Sequence, residues 1–302
     1  MRIGLVGAGP WALHTHAPAL AAHPGVTFTG LWARRPEAAA DTGIPVYESY
    51  PALVENNDAV AFAVPPSIQA ALAPSAAERG RHLILEKPLA NTLSAANDIA
   101  NAARENGART VMFLTRRYAP ETREFLESAK RGDWAAGDAM WLSGALLGGP
   151  FAGSQWRREG GALRDIGPHV VDVIDAALGP VEGVVSAHHE RRTDTWMVTL
   201  RHRPSEGEAQ DAHAYPVRMS SLSLSMRTPV QPSRLRVSVY GESGIAELGS
   251  RDTSPLECYA TMLDEFLESC ALGQEHACNA RRGVHLQWVI EAIERVAHEA
   301  KY

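Results

Sequence analysis

The sequence predicts an α/β chain: a doubly wound parallel sheet first, then an α+β domain with a large, open, mostly antiparallel sheet. Three observations lead there. Up to Tyr118, short apolar runs alternate with Ala-rich helical stretches, the rhythm of βαβ units. Beyond Tyr118 the runs lengthen and alternate apolar with polar, as strands with one buried face must. At 302 residues the chain exceeds the length over which one core keeps growing, so two domains are expected, residues 1–118 and 119–302.

In the first domain strands are expected at 3–6, 27–32, 59–63, 82–85 and 110–114. The stretches 12–22, 66–79 and 94–105 are long enough for the crossover helices that parallel strands require. Pro18 should break or kink the first of them, because it lacks an N–H and its ring crowds the preceding turn. In the second domain a helix at 120–130 precedes strands at 196–200, 221–226 and 234–240. Along 221–226, Leu222, Leu224 and Met226 point one way and Ser221, Ser223 and Ser225 the other. Residues 201–216, with Pro204 and Gly207, are expected to form an exposed hairpin connection. A closing amphipathic helix at 284–300 puts Val289, Ile293 and Val296 on one stripe.

The apolar share of 45% and charged share of 21% are those of an ordinary globular protein. A net charge of −6 without a basic stripe argues against nucleic-acid binding, so any phosphate must be held locally. Cys258, Cys270 and Cys278 are odd in number and lack CxxC spacing; neither a disulfide framework nor a metal site is expected, and a cytoplasmic location fits. Met1 leads straight into a strand pattern, without the charged and apolar regions of an export signal. No apolar run approaches the roughly 20 residues of a membrane span.

Gly7-Ala8-Gly9-Pro10-Trp11-Ala12 follows the first strand and opens a helix, the context that makes G-x-G-x-x-A a Rossmann-type dinucleotide fingerprint. Gly7 permits the tight turn, Gly9 lets backbone approach a pyrophosphate, and Ala12 lets helix and strand pack closely. The helix N-terminus, with Pro10 and Trp11, turns free N–H groups toward the phosphates. An acidic residue usually ends the second strand and binds the adenosine ribose, but here the chain reads Leu31-Trp32-Ala33-Arg34-Arg35. Two guanidiniums suit a 2′-phosphate, so NADP is the expected cofactor and NAD the alternative; a solvated turn is the bland reading of the same residues.

The run His82-Leu83-Ile84-Leu85-Glu86-Lys87-Pro88-Leu89-Ala90 resembles the glucose–fructose oxidoreductase, inositol dehydrogenase and rhizopine-catabolism family (Gfo/Idh/MocA). The resemblance continues through residues 58–66, with Pro65-Pro66, through Arg116-Arg117-Tyr118, residues 160–169 and 239–248. It implies an oxidoreductase in which Pro65, Glu86 and Lys87 lie beside the cofactor. It also implies that Lys87, Asp165 and His169 converge on a substrate hydroxyl, with Lys87 or His169 shuttling the proton and Asp165 orienting the substrate. Arg116, Tyr118, Trp156 and Arg157 are implied to face a sugar, cyclitol or other polyhydroxy substrate. Physically, hydride transfer at a carbinol needs a proton transfer at the same oxygen, and Lys87 follows a parallel strand at the edge where such sheets bind ligands. The alternatives are a solvated loop lysine, a helix-capping Asp165 and a packed core His169. Thr115 and Gln69 depart from the family's pattern, which commonly has Asn and His there.

Three functions stay open at this point: a dehydrogenase or reductase, a non-catalytic NADP-sensing protein, and an NAD-dependent glycoside-cleaving enzyme. Lys87, Asp165 and His169 favour the first. A homodimer or homotetramer is expected, formed by stacking the sheet face that carries Ser221, Ser223 and Ser225.

Overall fold

The computed structural model describes residues 1–148, 153–204, 215 and 217–299. Contacts divide the chain into two compact units, Met1–Tyr118 with Thr253–Gln287 and Ala119–Asp252 with Trp288–Tyr302. Residues 253–287 thus group with the N-terminal unit.

The first unit holds strands β1 (Arg2–Val6), β2 (Thr27–Trp32), β3 (Ala59–Phe62), β4 (His82–Leu85) and β5 (Thr110–Met112). All are parallel, in the order β2-β1-β3-β4-β5. The chain moves outward from β1 to β2 and returns to the other side for β3, so the switch point lies at the end of β1. Helices α1 (Ala17–Ala22), α2 (Tyr50–Glu55), α3 (Pro66–Glu78) and α4 (Leu93–Glu105) belong to the crossovers. β3 is buried along its whole length, which is why these strands read as apolar runs rather than alternating ones. Ser49 and Thr92 cap α2 and α4 by accepting the N–H of Ala52 and Ala95. Pro18 does not break the first helix. A π-helical turn, Ala12–His16, precedes α1, and the N–H of Ala17 bonds back five residues to Ala12; the helix widens and runs on past the proline.

α8 (Pro255–Leu272) and the start of α9 (Ala280–Glu299) complete this unit. A capping box between Ser254 and Glu257 starts α8, whose buried residues include Tyr259, Met262, Leu263 and Phe266. Beyond it, Cys278 and Ala280 cover the free edge of β5. Met112 N–H donates to the Cys278 carbonyl at 2.7 Å and Ala280 N–H to the Thr110 hydroxyl at 2.8 Å. Gly283 lies so close that a Cβ would come within 2.3 Å of the Met112 sulfur.

The second unit is built on a mixed sheet of β6 (Ala136–Leu142), β7 (Val181–Glu190), β8 (Thr195–His202), β9 (Arg218–Ser225), β10 (Arg234–Gly241) and β11 (Gly244–Leu248). Its order is β11-β10-β6-β9-β8-β7; β6 and β9 run parallel and every other pair is antiparallel. α5 (Pro120–Ala129), α6 (Gln155–Asp165) and α7 (Gly167–Leu178) belong to it, and α7 packs on β6, β9 and β10. Trp196, Val198, Leu200, Leu222, Leu224, Val237 and Val239 are buried, while Met197 and Ser221 are exposed. Ser225 shares the parity of Ser221 and Ser223 but is fully buried, donating its hydroxyl to the Thr193 carbonyl at 2.7 Å. β7 carries two register shifts, which scramble its alternation and hide it from a pattern reading. The expected hairpin connection 201–216 lies largely outside the described residues, between β8 and β9, whose ends pair at His202 and Arg218. Among the described residues no helix is long and apolar enough to cross a membrane.

Candidate active site

β1 is followed by Gly7, whose φ of +126° would strain any residue with a side chain, and where a Cβ would lie 2.4 Å from the Ala63 carbonyl oxygen. Gly7 N–H donates to the Trp32 carbonyl at 2.9 Å, which ties the loop to the end of β2. Gly9 is different. It is exposed, and a Cβ there would meet none of the described atoms within 4 Å. Gly7 is required by the protein's own backbone, whereas the bare backbone at Gly9 leaves a cradle open to a ligand. Ala12 is fully buried under the helix, and Leu13 N–H bonds to Gly9 to close the first turn. These residues fit a dinucleotide pyrophosphate at a helix N-terminus. Arg34 and Arg35 follow β2 after Ala33 and are both exposed. Pro65, also exposed, follows β3 and caps α3.

β4 ends at Leu85, and the next residues form a turn held from three sides. Glu86 is buried, and its Oε1 accepts from Trp11 Nε1 at 2.6 Å and meets His16 Nε2 at 2.8 Å. Its Oε2 accepts the Lys87 N–H at 3.2 Å. Tyr259 OH lies 3.0 Å from His16 Nδ1; burial, then the Glu86 charge, hold its phenol pKa well above the ordinary value. The phenol therefore keeps its proton, and the two ring nitrogens of His16 bridge it to the Glu86 carboxylate. The family resemblance puts Glu86 beside the cofactor; in this unit its carboxylate ties the glycine-loop helix to the lysine turn. The Lys87-Pro88 bond is cis, and Lys87 is half-buried at the carboxyl edge of the sheet. Gln69 is fully buried and bonds to the backbone of the same turn. Trp11 stacks on Phe113 with ring centroids 6.2 Å apart.

In the second unit, Asp165 is the last residue of α6 and His169 lies in the first turn of α7. The two helices run on almost without interruption, so the four-residue spacing does wind both groups into adjoining turns. Ile166, with no side-chain capping bond, precedes α7, so Asp165 is not its cap. Both are buried; Asp165 Oδ2 lies 3.5 Å from Arg157 Nε, and the His169 ring is 6.0 Å from Trp141. The Arg157 guanidinium also lies over Trp156, 5.3 Å from the ring centre. Three residues before Asp165, Ala162 N–H donates to Asp194 Oδ2 at 2.6 Å. Asp194 also accepts from Trp196 Nε1 at 3.2 Å and meets His189 Nε2 at 3.0 Å. Gly161 has φ +59°, and a Cβ would sit 2.7 Å from both Asp194 oxygens.

Arg116 and Tyr118 lie in a short 3-10 turn, Thr115–Tyr118, after β5. Tyr118 is buried and its hydroxyl donates to the Met112 carbonyl at 2.8 Å; burial, with the neighbouring Cys278, raises its pKa. Sequence reasoning gives no role to His16, Tyr259 or Asp194, since only a folded chain brings residues this far apart together. Gln69 stands out in the sequence only as a departure from a pattern.

Residues 1–114 match the family model described as an oxidoreductase family with an NAD-binding Rossmann fold. Among curated proteins, a dTDP-3,4-didehydro-2,6-dideoxy-alpha-D-glucose 3-reductase from Streptomyces antibioticus is 27% identical over 330 residues, spanning 98% of both chains. Among solved structures, GenD2 from gentamicin A biosynthesis, in complex with NAD, superposes with a TM-score of 0.82 at 20% identity, over 100% of this chain and 95% of that one. KijD10, a 3-ketoreductase from Actinomadura kijaniata in complex with TDP-benzene and NADP, gives 0.72 at 20% identity over 98% and 97%. These likenesses establish the fold.

The two glycines give opposite expected outcomes. Gly7→Ala should destabilise the fold by about 3 kcal/mol or more, through positive φ and a backbone clash, seen as a lower denaturation midpoint. Gly9→Ala should leave that midpoint within about 1 kcal/mol and instead weaken NADPH binding in a fluorescence titration. Unchanged nucleotide affinity in Gly9→Ala would remove the loop from the binding site.

Proposed function

Because residues 1–114 belong to the Gfo/Idh/MocA oxidoreductase family, built on an NAD-binding Rossmann fold, we propose that this protein is an NAD(P)-dependent dehydrogenase or reductase. Its substrate is a carbonyl or alcohol of a polar, sugar- or cyclitol-like molecule. The observation that carries this reading is Lys87, the half-buried amine on a turn fastened to the dinucleotide loop through Glu86. The nicotinamide, when bound, supplies or accepts the hydride. Lys87 holds or delivers the proton at the substrate oxygen, with His169 as the alternative proton carrier, and Asp165 orients the substrate hydroxyl. Arg157, beside Asp165, supplies positive charge, and Trp156 a face for a sugar ring. Arg116 contributes charge at the end of β5. Tyr118 contributes shape rather than its hydroxyl, which the Met112 carbonyl already holds. The sugar-nucleotide reductase among its relatives supports the substrate class.

NADP is the preferred cofactor in this reading. Gly7 is bonded to the end of β2, and Arg34 and Arg35 stand exposed just beyond it with no carboxylate before Glu37. Cys258, Cys270 and Cys278 are all thiols, in keeping with the cytoplasm. The exposed sheet face with Ser221, Thr199 and Met197 is the proposed contact between copies of the chain.

NADPH should bind more tightly than NADH in parallel titrations, and Arg34→Ala with Arg35→Ala should lower the NADPH affinity about tenfold or more while sparing NADH. Equal affinities in the unmodified protein would sink the preference.

Lys87→Ala and Lys87→Met should lower turnover on a confirmed substrate by about 10² to 10⁴ with nucleotide affinity nearly intact. Wild-type turnover in either variant would transfer the proton role to His169.

Light scattering should give a mass of at least twice the 32.6 kDa of one chain, and a charge placed at Met197 should lower it; a monomer at micromolar concentration would refute the assembly.

A further inference from the structure

The turn that carries Lys87 is buried on both sides of it: Glu86 before, Pro88, Leu89 and Ala90 after. Its backbone polar groups lie beyond the end of β4, and a buried amide group without a partner is costly. The Glu86 carboxylate takes the Lys87 N–H, and a second side chain meets the rest of that need. Gln69, in the first turn of α3 and with zero exposure, accepts the Glu86 N–H on Oε1 at 2.8 Å. Its Nε2 donates to the Glu86 carbonyl at 2.9 Å and to the Leu89 carbonyl at 2.8 Å. A carboxamide offers an acceptor and two donors at one end without a charge, and here both donors and the acceptor are engaged. The bonds fall on residues 86 and 89, so they bracket Lys87 and fix the path of the backbone on either side of it.

Resting on the assignment of proton transfer to Lys87, we propose that Gln69 is a positioning residue for that reaction: it holds the Glu86–Leu89 backbone so that the Lys87 amine is presented at a fixed place on the sheet edge. Its position follows from topology. β3 and β4 are neighbours, so the first turn of the helix after β3 stands beside the turn after β4. Gln69 needs no contact with substrate or nucleotide for this. A lysine swung out of place by about 1 Å loses rate steeply, although its charge and the nucleotide loop are unchanged.

The composition makes the test clean, because the chain has only three lysines, Lys87, Lys130 and Lys301. The acetylation rate of Lys87 by acetic anhydride, relative to that of the exposed Lys130, would be mapped by mass spectrometry in the full-length protein and in Gln69→Leu and Gln69→His variants. Gln69→Leu removes all three bonds, whereas Gln69→His keeps one donor and one acceptor. The expected result is a Lys87/Lys130 ratio raised several-fold in Gln69→Leu and partly restored in Gln69→His, with NADPH affinity unchanged. On a confirmed substrate, kcat should fall about 10- to 100-fold with little change in KM. A folded Gln69→Leu protein with the wild-type ratio overturns the proposal. If that variant does not fold, a wild-type ratio in Gln69→His overturns it and an intermediate one supports it. A loss of NADPH affinity parallel to the loss of rate would also overturn it, as the mark of general loosening. Full activity in Lys87→Met would instead overturn the proton-transfer assignment and leave the labelling result standing.

Discussion

Parallel strands joined by crossovers all run the same way, so the carboxyl ends of β1, β2, β3 and β4 open on one edge of the first sheet. The turns leaving those strands are therefore neighbours in space, however far apart they lie in sequence. Gly7 comes after β1, Arg34 and Arg35 after β2, Pro65 and Gln69 after β3, and Glu86 and Lys87 after β4. The switch point at β1 leaves room there for the glycine loop, and each further group is added by one more turn of the same connection. The site in this unit is a consequence of strand direction more than of any single residue.

Two buried carboxylates then fasten the turns that matter, one in each unit. Glu86 engages an indole N–H from Trp11, an imidazole nitrogen of His16 and the backbone N–H of Lys87. Asp194 engages an indole N–H from Trp196, an imidazole nitrogen of His189 and the backbone N–H of Ala162. A buried carboxylate is expensive unless its lone pairs are engaged, and removing one partner costs more than the pair contributes. Such a group therefore specifies a geometry more than it adds stability. The held N–H belongs to Lys87 itself in the first case and stands three residues before Asp165 in the second.

Glycines divide in a similar way. At Gly7 and Gly161 the missing Cβ makes room for the protein's own atoms, the Ala63 carbonyl and the Asp194 carboxylate, and both have positive φ. At Gly9 it makes room for nothing within the described chain. The three look alike in a motif, yet two are required by the protein's own atoms and the third is not.

The five parallel strands could be read from the chain, because burial on both faces of the inner strands forces contiguous apolar runs, separated by Ala-rich helical stretches. The glycine loop was legible too, since its chemistry is local: three small residues at fixed spacing between a strand and a helix. The exposed placement of Arg34 and Arg35 just beyond a strand was readable in the same way. β7 was not, because its register shifts erase the alternation, and the cover over Ser225 was not, because it comes from Thr193 on a neighbouring turn. Nor were the partners of Glu86 foreseeable: His16 lies 70 residues from it and Tyr259 lies 243 residues from His16, and no spacing rule reaches so far. Local periodicity and turn chemistry are written in consecutive residues, whereas the bonds that hold Lys87 and Asp165 in place join side chains that meet only after the sheets have formed.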